Sequence, residues 1–151
     1  MAKPITVLVA DDDADDRLLI SDAFEESSLS NPLHFVKDGE ELMDYLQRRG
    51  EYETLEGEPF PGLILLDLNM PKKDGRVALK EIKSDPALQR IPVVVLSTSK
   101  APEDILRTYG LGVSSFITKP VTFEELCEVV KLLSRYWFEV VALPPECEPA
   151  P

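Results

Sequence analysis

Short runs of apolar residues alternate along this chain with longer stretches in which apolar residues recur every three or four positions. The short runs predict strands and the longer stretches predict helices. The predicted strands cover residues 5–10, 33–36, 62–66, 91–96 and 115–118. The third and fourth strands are apolar almost throughout, which is typical of strands buried on both faces of a parallel sheet.

Capping residues indicate where several of the predicted helices begin. Asp13 is suited to cap a helix after the first strand, because its carboxylate can accept hydrogen bonds from the free N–H groups of the first turn. Thr122 and Glu125 form a capping-box pattern before the last helix. Asp85-Pro86 ends the helix that precedes the fourth strand.

This alternation predicts an α/β fold, with a five-stranded parallel sheet covered by helices on both faces. We expect the flavodoxin-like, doubly wound strand order 2-1-3-4-5. Residues 1–137 are expected to form one domain and residues 138–151 a C-terminal arm or tail. The segment from Arg48 to Pro61 has no apolar period, so we expect a long connection there.

Composition narrows the range of partners. The chain has 28 acidic and 16 basic residues, a formal net charge of -12, which repels nucleic acid and anionic membrane surfaces. We therefore expect neither as a partner. The chain opens without a charged-then-apolar leader, and no apolar run approaches the roughly 18 residues of a membrane span, so we expect a cytoplasmic protein. Cys127 and Cys147 match no metal or redox spacing, and Cys147 lies in a Pro-rich tail, so both are expected to be reduced thiols.

Polar side chains with potential chemistry follow four of the predicted strands. Asp11 and Asp12 follow the first strand, Asp67 the third, Ser97 the fourth and Lys119 the fifth. In the expected strand order the carboxyl ends of these strands meet at one edge of the sheet, where ligands bind in folds of this class. We therefore expect these side chains to share one cleft.

Three carboxylates in one cleft repel one another unless a cation lies among them. A hard divalent cation is implied, and Mg²⁺ fits a shallow cleft of one or two carboxylates together with a phosphate group. Lys119 adds a positive charge suited to a phosphoryl oxygen, and Ser97 adds a hydroxyl donor. The residue types therefore predict a site for a phosphoryl group.

The same residues resemble the signature of two-component response-regulator receiver domains. The resemblance extends from Ile5 to about Tyr136 and includes Asp11-Asp12, the Leu-Leu-Asp-Leu-Asn-Met-Pro segment around Asp67, and Lys119-Pro120. It implies that Asp11, Asp12 and Asp67 hold Mg²⁺, together with the backbone carbonyl of Asn69. It also implies that a histidine kinase is the partner.

The resemblance assigns further roles along the fourth and fifth strands. It implies that Asp67 is the phosphoacceptor, Lys119 the phosphoryl-binding lysine, Ser97 the switch hydroxyl and Phe116 the coupled aromatic residue. Signalling would then be a change of shape rather than catalytic turnover, so we do not expect an enzyme.

A narrower resemblance concerns the acidic segment before the third strand, the Leu96-Ser97-Thr98-Ser99 sequence and the Tyr136-Trp137-Phe138 ending. These are similar to the single-domain response regulators that act with phytochrome-type histidine kinases, which implies a bacteriophytochrome as partner. Such regulators commonly dimerise through the fourth and fifth elements. We expect a homodimer that uses this surface and the C-terminal arm; the alternative is that residues 138–143 fold back on their own domain.

Two other classes of protein share parts of this pattern. Mg²⁺-dependent phosphohydrolases of the haloacid-dehalogenase type also use Asp, Ser or Thr, and Lys on a similar sheet, and Asp11-x-Asp13 imitates their first motif. Their nucleophile, however, follows the first strand and a further acidic pair comes late. A flavodoxin-like FMN binder would need phosphate-binding donors after the first strand, where this chain has acids that repel phosphate.

Overall fold

The computed structural model describes residues 5–98 and 101–140, with side chains to Trp137, and shows a parallel sheet in the order β2-β1-β3-β4-β5. Five helices flank it, so the expected fold class and strand order are confirmed. The strands are β1 (Val7–Ala10), β2 (Leu33–Val36), β3 (Leu63–Leu66), β4 (Val93–Ser97) and β5 (Ser115–Thr118). The helices are α1 (Ala14–Glu26), α2 (Gly39–Gln47), α3 (Gly75–Ser84), α4 (Pro102–Gly110) and α5 (Phe123–Ser134).

The sheet separates two hydrophobic cores because successive side chains of a strand point to opposite faces. Leu8 and Ala10 of β1 pack with residues of α2 and α3 on one face, whereas Val7 and Val9 pack with residues of α1 and α5 on the other. Each large apolar side chain buried in this way contributes about 1.5–3 kcal/mol. Burial of the central strands on both faces explains their continuous apolar sequence.

Side-chain caps fix the start of four helices. Asp13 Oδ1 accepts a hydrogen bond from the Asp15 N–H at 2.8 Å, and Thr122 Oγ1 accepts one from the Glu125 N–H at 3.1 Å, so both sequence-predicted caps are confirmed. Asp38 and Asp74 cap α2 and α3 in the same way. All four of these helices follow the carboxyl end of a strand, and the caps of α1 and α3 fix the far ends of the loops that carry Asp11, Asp12 and Asp67.

The segment expected to be a long connection contains a 3-10 helix, Gly50–Leu55. The Tyr52 hydroxyl donates a hydrogen bond to Glu41 Oε2 at 2.9 Å, and the Tyr52 ring contacts the partly buried ring of His34. The Arg48 guanidinium lies 5.0 Å from the centroid of the Phe60 ring. Aromatic packing therefore orders a segment in which the sequence shows no apolar period.

The chain beyond α5 continues as a π-helical segment, Arg135–Val140, in which Trp137 packs against the core under α1 and α5. This segment includes the expected domain boundary between residues 137 and 138. The boundary itself stays a prediction. Most of the expected C-terminal arm lies outside the described residues, as does Cys147. Cys127 is a buried free thiol. Among the described residues, none of the helices has the length and apolar content needed to span a bilayer.

Gly75, the first residue of α3, lies against the backbone that follows β3. Its N–H donates a hydrogen bond to the Leu68 carbonyl at 2.9 Å. A Cβ at Gly75 would collide with the carbonyl oxygen of Asp67 and lie 2.7 Å from Leu68 Cα. The start of α3 therefore fixes the loop that carries Asp67 by direct backbone contact.

We expect Gly75→Ala to lower the free energy of unfolding by about 1–3 kcal/mol, because backbone atoms must move to admit the methyl group. Gly110→Ala is the matched control, since a Cβ at Gly110 would meet nothing within 4 Å. The control is expected to stay within about 1 kcal/mol of wild type. Urea denaturation measures both values, and equal stabilities of the two variants would contradict the backbone contact.

Candidate functional site

The pairing of β1 with β3 brings Asp11 and Asp67 together. Ala10 lies opposite Leu66, and the Asp67 N–H donates a hydrogen bond to the Ala10 carbonyl at 2.9 Å. The two aspartates that follow are both buried, while Asp12 is exposed at the mouth of the cleft. One carboxylate oxygen from each of the three lies within 4.8 Å of the others. The predicted gathering of these acids in one cleft is therefore present.

Lys119 crosses from the end of β5 into this acidic cleft. Its ammonium donates hydrogen bonds to Asp16 Oδ2 at 2.7 Å, to Asp11 Oδ2 at 2.8 Å and to Asp67 Oδ2 at 3.2 Å. The Lys119 side chain is 14% exposed, so these contacts are shielded from solvent. One cation thus offsets part of the repulsion among the acids.

Burial and hydrogen bonding act in opposite directions on the ionisation of the site. Burial raises the pKa of Asp11 and that of Asp67, although the hydrogen bond or charge of Lys119 opposes the rise in each case. Burial also lowers the pKa of Lys119, but its hydrogen bonds to Asp11 and Asp16 outweigh this effect and hold the pKa above its usual range. Lys119 therefore remains a cation in this cleft.

Backbone groups orient the two buried carboxylates. Asp11 Oδ1 accepts a hydrogen bond from the Asp13 N–H at 3.0 Å, and Asp67 Oδ1 accepts one from the Asn69 N–H at 3.1 Å. In both carboxylates the other oxygen, Oδ2, accepts from Lys119. Asn69 itself is exposed. Each buried carboxylate is therefore held by one local backbone donor and one distant ammonium.

Ser97 and Phe116 occupy the neighbouring strands β4 and β5. Ser97 is fully buried, and its carbonyl accepts a hydrogen bond from the Lys119 N–H at 2.8 Å. Because Leu66 pairs with Val95, Ser97 lies on the strand next to the one that leads into Asp67. Phe116 is half-buried against the core under α2 and α3, and its N–H donates to the Tyr109 hydroxyl at 3.2 Å. Ser97 thus lies at the end of a strand beside the acidic cleft, whereas Phe116 lies on β5 against the core under α2 and α3.

The sequence reasoning did not single out Asp16. It belongs to an acidic run that also contains Asp13 and Asp15. Of these three aspartates, Asp16 is the one that contacts Lys119. A helix that begins at Ala14 places Asp16 in its first turn, close in sequence to Asp11 and Asp12, which is the signal that was available. The contact itself depends on where β5 ends.

The donor set fits a hard divalent cation. Such cations prefer carboxylate oxygens, and Asp11, Asp12 and Asp67 each offer one from within a small volume. Burial raises the pKa of Asp11 and of Asp67, and Lys119 only partly opposes this rise. An added cation would balance them further.

This chain is similar in sequence and in fold to proteins of known function. The family model of the response regulator receiver domain matches residues 7–131. Response regulator Rcp1 of Synechocystis sp. is 42% identical over 141 residues, which span 93% of this chain and 94% of Rcp1. The phosphorylated cyanobacterial phytochrome response regulator RcpA has a crystal structure that superposes with a TM-score of 0.87 at 43% identity, covering 95% of this chain and 100% of RcpA.

The Mn²⁺-bound form of Rcp1 is a third similar protein. Its crystal structure has a TM-score of 0.85 and 42% identity to this chain, and the match covers 94% of this chain and 100% of that one. Receiver domains bind a divalent metal at an acidic pocket, which corresponds here to Asp11, Asp12 and Asp67. The comparisons give no support to a phosphohydrolase of the haloacid-dehalogenase type.

We expect Asp12→Ala to weaken the binding of a divalent cation about tenfold or more, because the pocket loses one of its three carboxylates. Asp15→Ala is the matched control: it removes a charge from an exposed aspartate three positions further along, in the first turn of α1 and outside the three-carboxylate group. Calorimetric titration with Mg²⁺ and with Mn²⁺ measures both affinities. Equal losses in the two variants would show that net charge, and not ligation by Asp12, governs binding.

Proposed function

Because this chain belongs to the response regulator receiver domain family, we propose that Asp67 accepts a phosphoryl group from a histidine kinase and that the chain signals by a change of conformation. We further propose that it acts in the cytoplasm, where kinases find ATP. The observation that carries the proposal is the position of Asp67. It is a buried carboxylate at the end of β3, with the Lys119 ammonium 3.2 Å from its Oδ2.

The chemistry follows from this geometry. A carboxylate oxygen of Asp67 attacks the phosphorus of a phosphohistidine; a P–O bond forms, the P–N bond breaks, and the imidazole nitrogen of the kinase keeps the bonding electron pair and takes up a proton. The product is an acyl phosphate. Lys119 supplies positive charge beside the oxygens on which negative charge gathers during transfer. Asn69 N–H holds Asp67 Oδ1 in place.

Mg²⁺ is the cation that we propose for the acidic pocket, held by Asp11, Asp12 and Asp67 and by the backbone carbonyl of Asn69. When bound, it neutralises charge on the phosphoryl oxygens. Asp67 follows β3, whereas the nucleophile of the haloacid-dehalogenase phosphohydrolases follows the first strand, and this position favours a signalling protein over a phosphohydrolase.

Ser97, Phe116 and Lys119 are proposed to convert phosphorylation into a change of shape. The new phosphoryl group offers acceptor oxygens to the Ser97 hydroxyl and to Lys119, which lie at the ends of adjacent strands and are linked by a backbone hydrogen bond of 2.8 Å. Movement of Ser97 would alter the space beside Phe116 on β5. The surface formed by α4, β5 and α5 would then report the phosphorylated state.

A histidine kinase is the partner that receiver domains imply. We propose that the kinase is a bacteriophytochrome, since RcpA is a phytochrome response regulator and is similar over nearly the whole of this chain. The Leu96-Ser97-Thr98-Ser99 sequence also supports this subgroup, although Ser99 lies outside the described residues.

The proposal predicts that phosphorylated histidine kinase, or a small acyl phosphate with Mg²⁺, labels wild-type protein at Asp67. Asp67→Asn is expected to remain unlabelled, because an amide oxygen does not form a stable acyl phosphate. Mass spectrometry after borohydride reduction locates the label. Labelling of Asp67→Asn to the wild-type level would overturn the assignment.

Ser97→Ala and Lys119→Ala are the controls for this experiment. Both keep the nucleophile, so both are expected to become labelled while losing the accompanying change in hydrogen exchange along β4 and β5. Wild-type exchange changes in both labelled variants would remove the switch role from these two residues and leave Asp67 as the phosphoacceptor.

We also propose that the chain forms a homodimer through α4, β5 and α5, extended by the arm of residues 138–151. Large apolar side chains are exposed on both helices: Leu106 (74%) and Tyr109 (49%) on α4 and Leu132 (68%) on α5, with Tyr136 (56%) just beyond α5. Burying this surface against a second copy removes the same patch twice from water.

A chain truncated after Trp137 is expected to be monomeric and still to accept phosphate at Asp67, because every residue of the proposed site lies between Asp11 and Lys119 and is retained. Sedimentation velocity measures the association state. Leu132→Ser is expected to weaken the dimer, whereas Val77→Ser, at an exposed apolar residue on α3, is the control. A full-length protein that sediments as a monomer with and without phosphorylation would refute the dimer.

A further inference from the structure

The Lys119 ammonium uses all of its hydrogen-bonding capacity on carboxylates. An ammonium has three N–H donors, and Lys119 has three acceptors, of which Asp16 Oδ2 is the nearest at 2.7 Å. Two donated bonds fix the direction of the third. The contacts to Asp11 and Asp16 therefore aim the remaining N–H at Asp67, whose Oδ2 is the most distant acceptor at 3.2 Å.

Asp16 differs from the other two acceptors in its position. Its side chain is 35% exposed, against 2% for Asp11 and 9% for Asp67. It stands on the first turn of α1, and it lies outside the group formed by Asp11, Asp12 and Asp67. Asp11 and Asp67 are suited to bind a metal ion, whereas Asp16 lies outside that group and needs a different explanation.

We propose that Asp16 is a positioning residue that holds Lys119 in line with the phosphoryl group on Asp67. This inference rests on the proposed function of Asp67 as phosphoacceptor. Asp11 also has to accept from the Asp13 N–H and to serve the acidic pocket, so its charge is shared. Asp16 supplies a dedicated carboxylate for Lys119, and it ties the residue that follows β5 to the start of α1.

The path of the Lys119 side chain explains why a carboxylate on α1 is needed to hold it. Lys119 reaches the cleft from the end of β5, and without a partner on the α1 side its flexible four-carbon chain can turn away from Asp67. Asp16 lines a small cleft with Lys119, Leu19 and Val121, where α1 faces the segment between β5 and α5. The ammonium is thus held from the outer side of the site while Asp11 and Asp67 hold it from within.

The test compares Asp16→Asn with Asp15→Asn in the full chain. Each removes one negative charge from the first turn of α1, so the two variants lose the same favourable interaction with the helix N-terminus. Beryllofluoride serves as the phosphoryl mimic, titrated at Mg²⁺ concentrations shown to saturate each variant, with bound fluoride followed by fluorine NMR. We expect Asp16→Asn to weaken binding about two- to fivefold, the range for a partly exposed ion pair, and Asp15→Asn to match wild type.

Two further measurements separate positioning from a general structural effect. In a Lys119→Met background, Asp16→Asn is expected to cause no further loss of beryllofluoride affinity, because the group that it positions is gone. In the metal-free protein with ¹⁵N-labelled lysine, the Lys119 ammonium protons are expected to exchange with water faster in Asp16→Asn than in Asp15→Asn. This second readout needs neither metal nor phosphoryl group.

The outcomes distinguish this inference from the proposed function. If wild-type protein becomes labelled at Asp67 and binds beryllofluoride, but Asp16→Asn equals Asp15→Asn in affinity and in ammonium exchange, the positioning role of Asp16 is wrong while the function stands. An equal loss from Asp16→Asn with and without Lys119 would likewise overturn it. If wild-type protein neither becomes labelled nor binds the mimic, the proposed function fails and the inference fails with it.

Discussion

The burial of several carboxylates around a single ammonium is the constraint on which the rest of this structure depends. Like charges in a poorly solvated cleft destabilise one another, and an unpaired buried charge is costly. Here Asp11 and Asp67 are buried side by side, and Lys119 reaches both. Such an arrangement requires the carboxyl ends of three strands, β1, β3 and β5, to lie close together. It also leaves negative charge in excess, which makes the cleft receptive to a divalent cation.

The sheet supplies the rigidity that this arrangement requires. Side chains alternate between two cores, so that β1 and β3 are held from both faces and their carboxyl ends are fixed relative to each other. The backbone contact of Gly75 with the loop after β3 fixes that loop from the α3 side. The acidic side chains are therefore placed by the apolar packing beneath them, which sets the distances within the site.

Connections beyond the cleft link the site to the surface proposed to carry the signal. The Lys119 N–H bonds to the Ser97 carbonyl, which joins the ends of β4 and β5 directly beside the acids. A second connection joins α3 to α4: Arg76 at the start of α3 donates to both oxygens of Asp104 on α4, at 3.0 and 2.9 Å. Paired hydrogen bonds of this kind constrain orientation as well as distance. The position of α4 is thus coupled through α3 to the loop that carries Asp67.

The sequence by itself determined the elements and most of the site. Continuous apolar runs defined the strands, Asp13 and Thr122 capped helices as expected, and the acids at the strand ends were identified because a parallel sheet brings such ends together. Tertiary structure alone decided the contacts between distant residues. Asp16 and Lys119 are 103 positions apart, and Arg76 and Asp104 are 28 apart, so no local pattern relates them. The 3-10 helix at Gly50–Leu55 was missed for the same reason: Tyr52 is held by Glu41 and His34, which belong to other elements, and its own neighbours in sequence carry no apolar period.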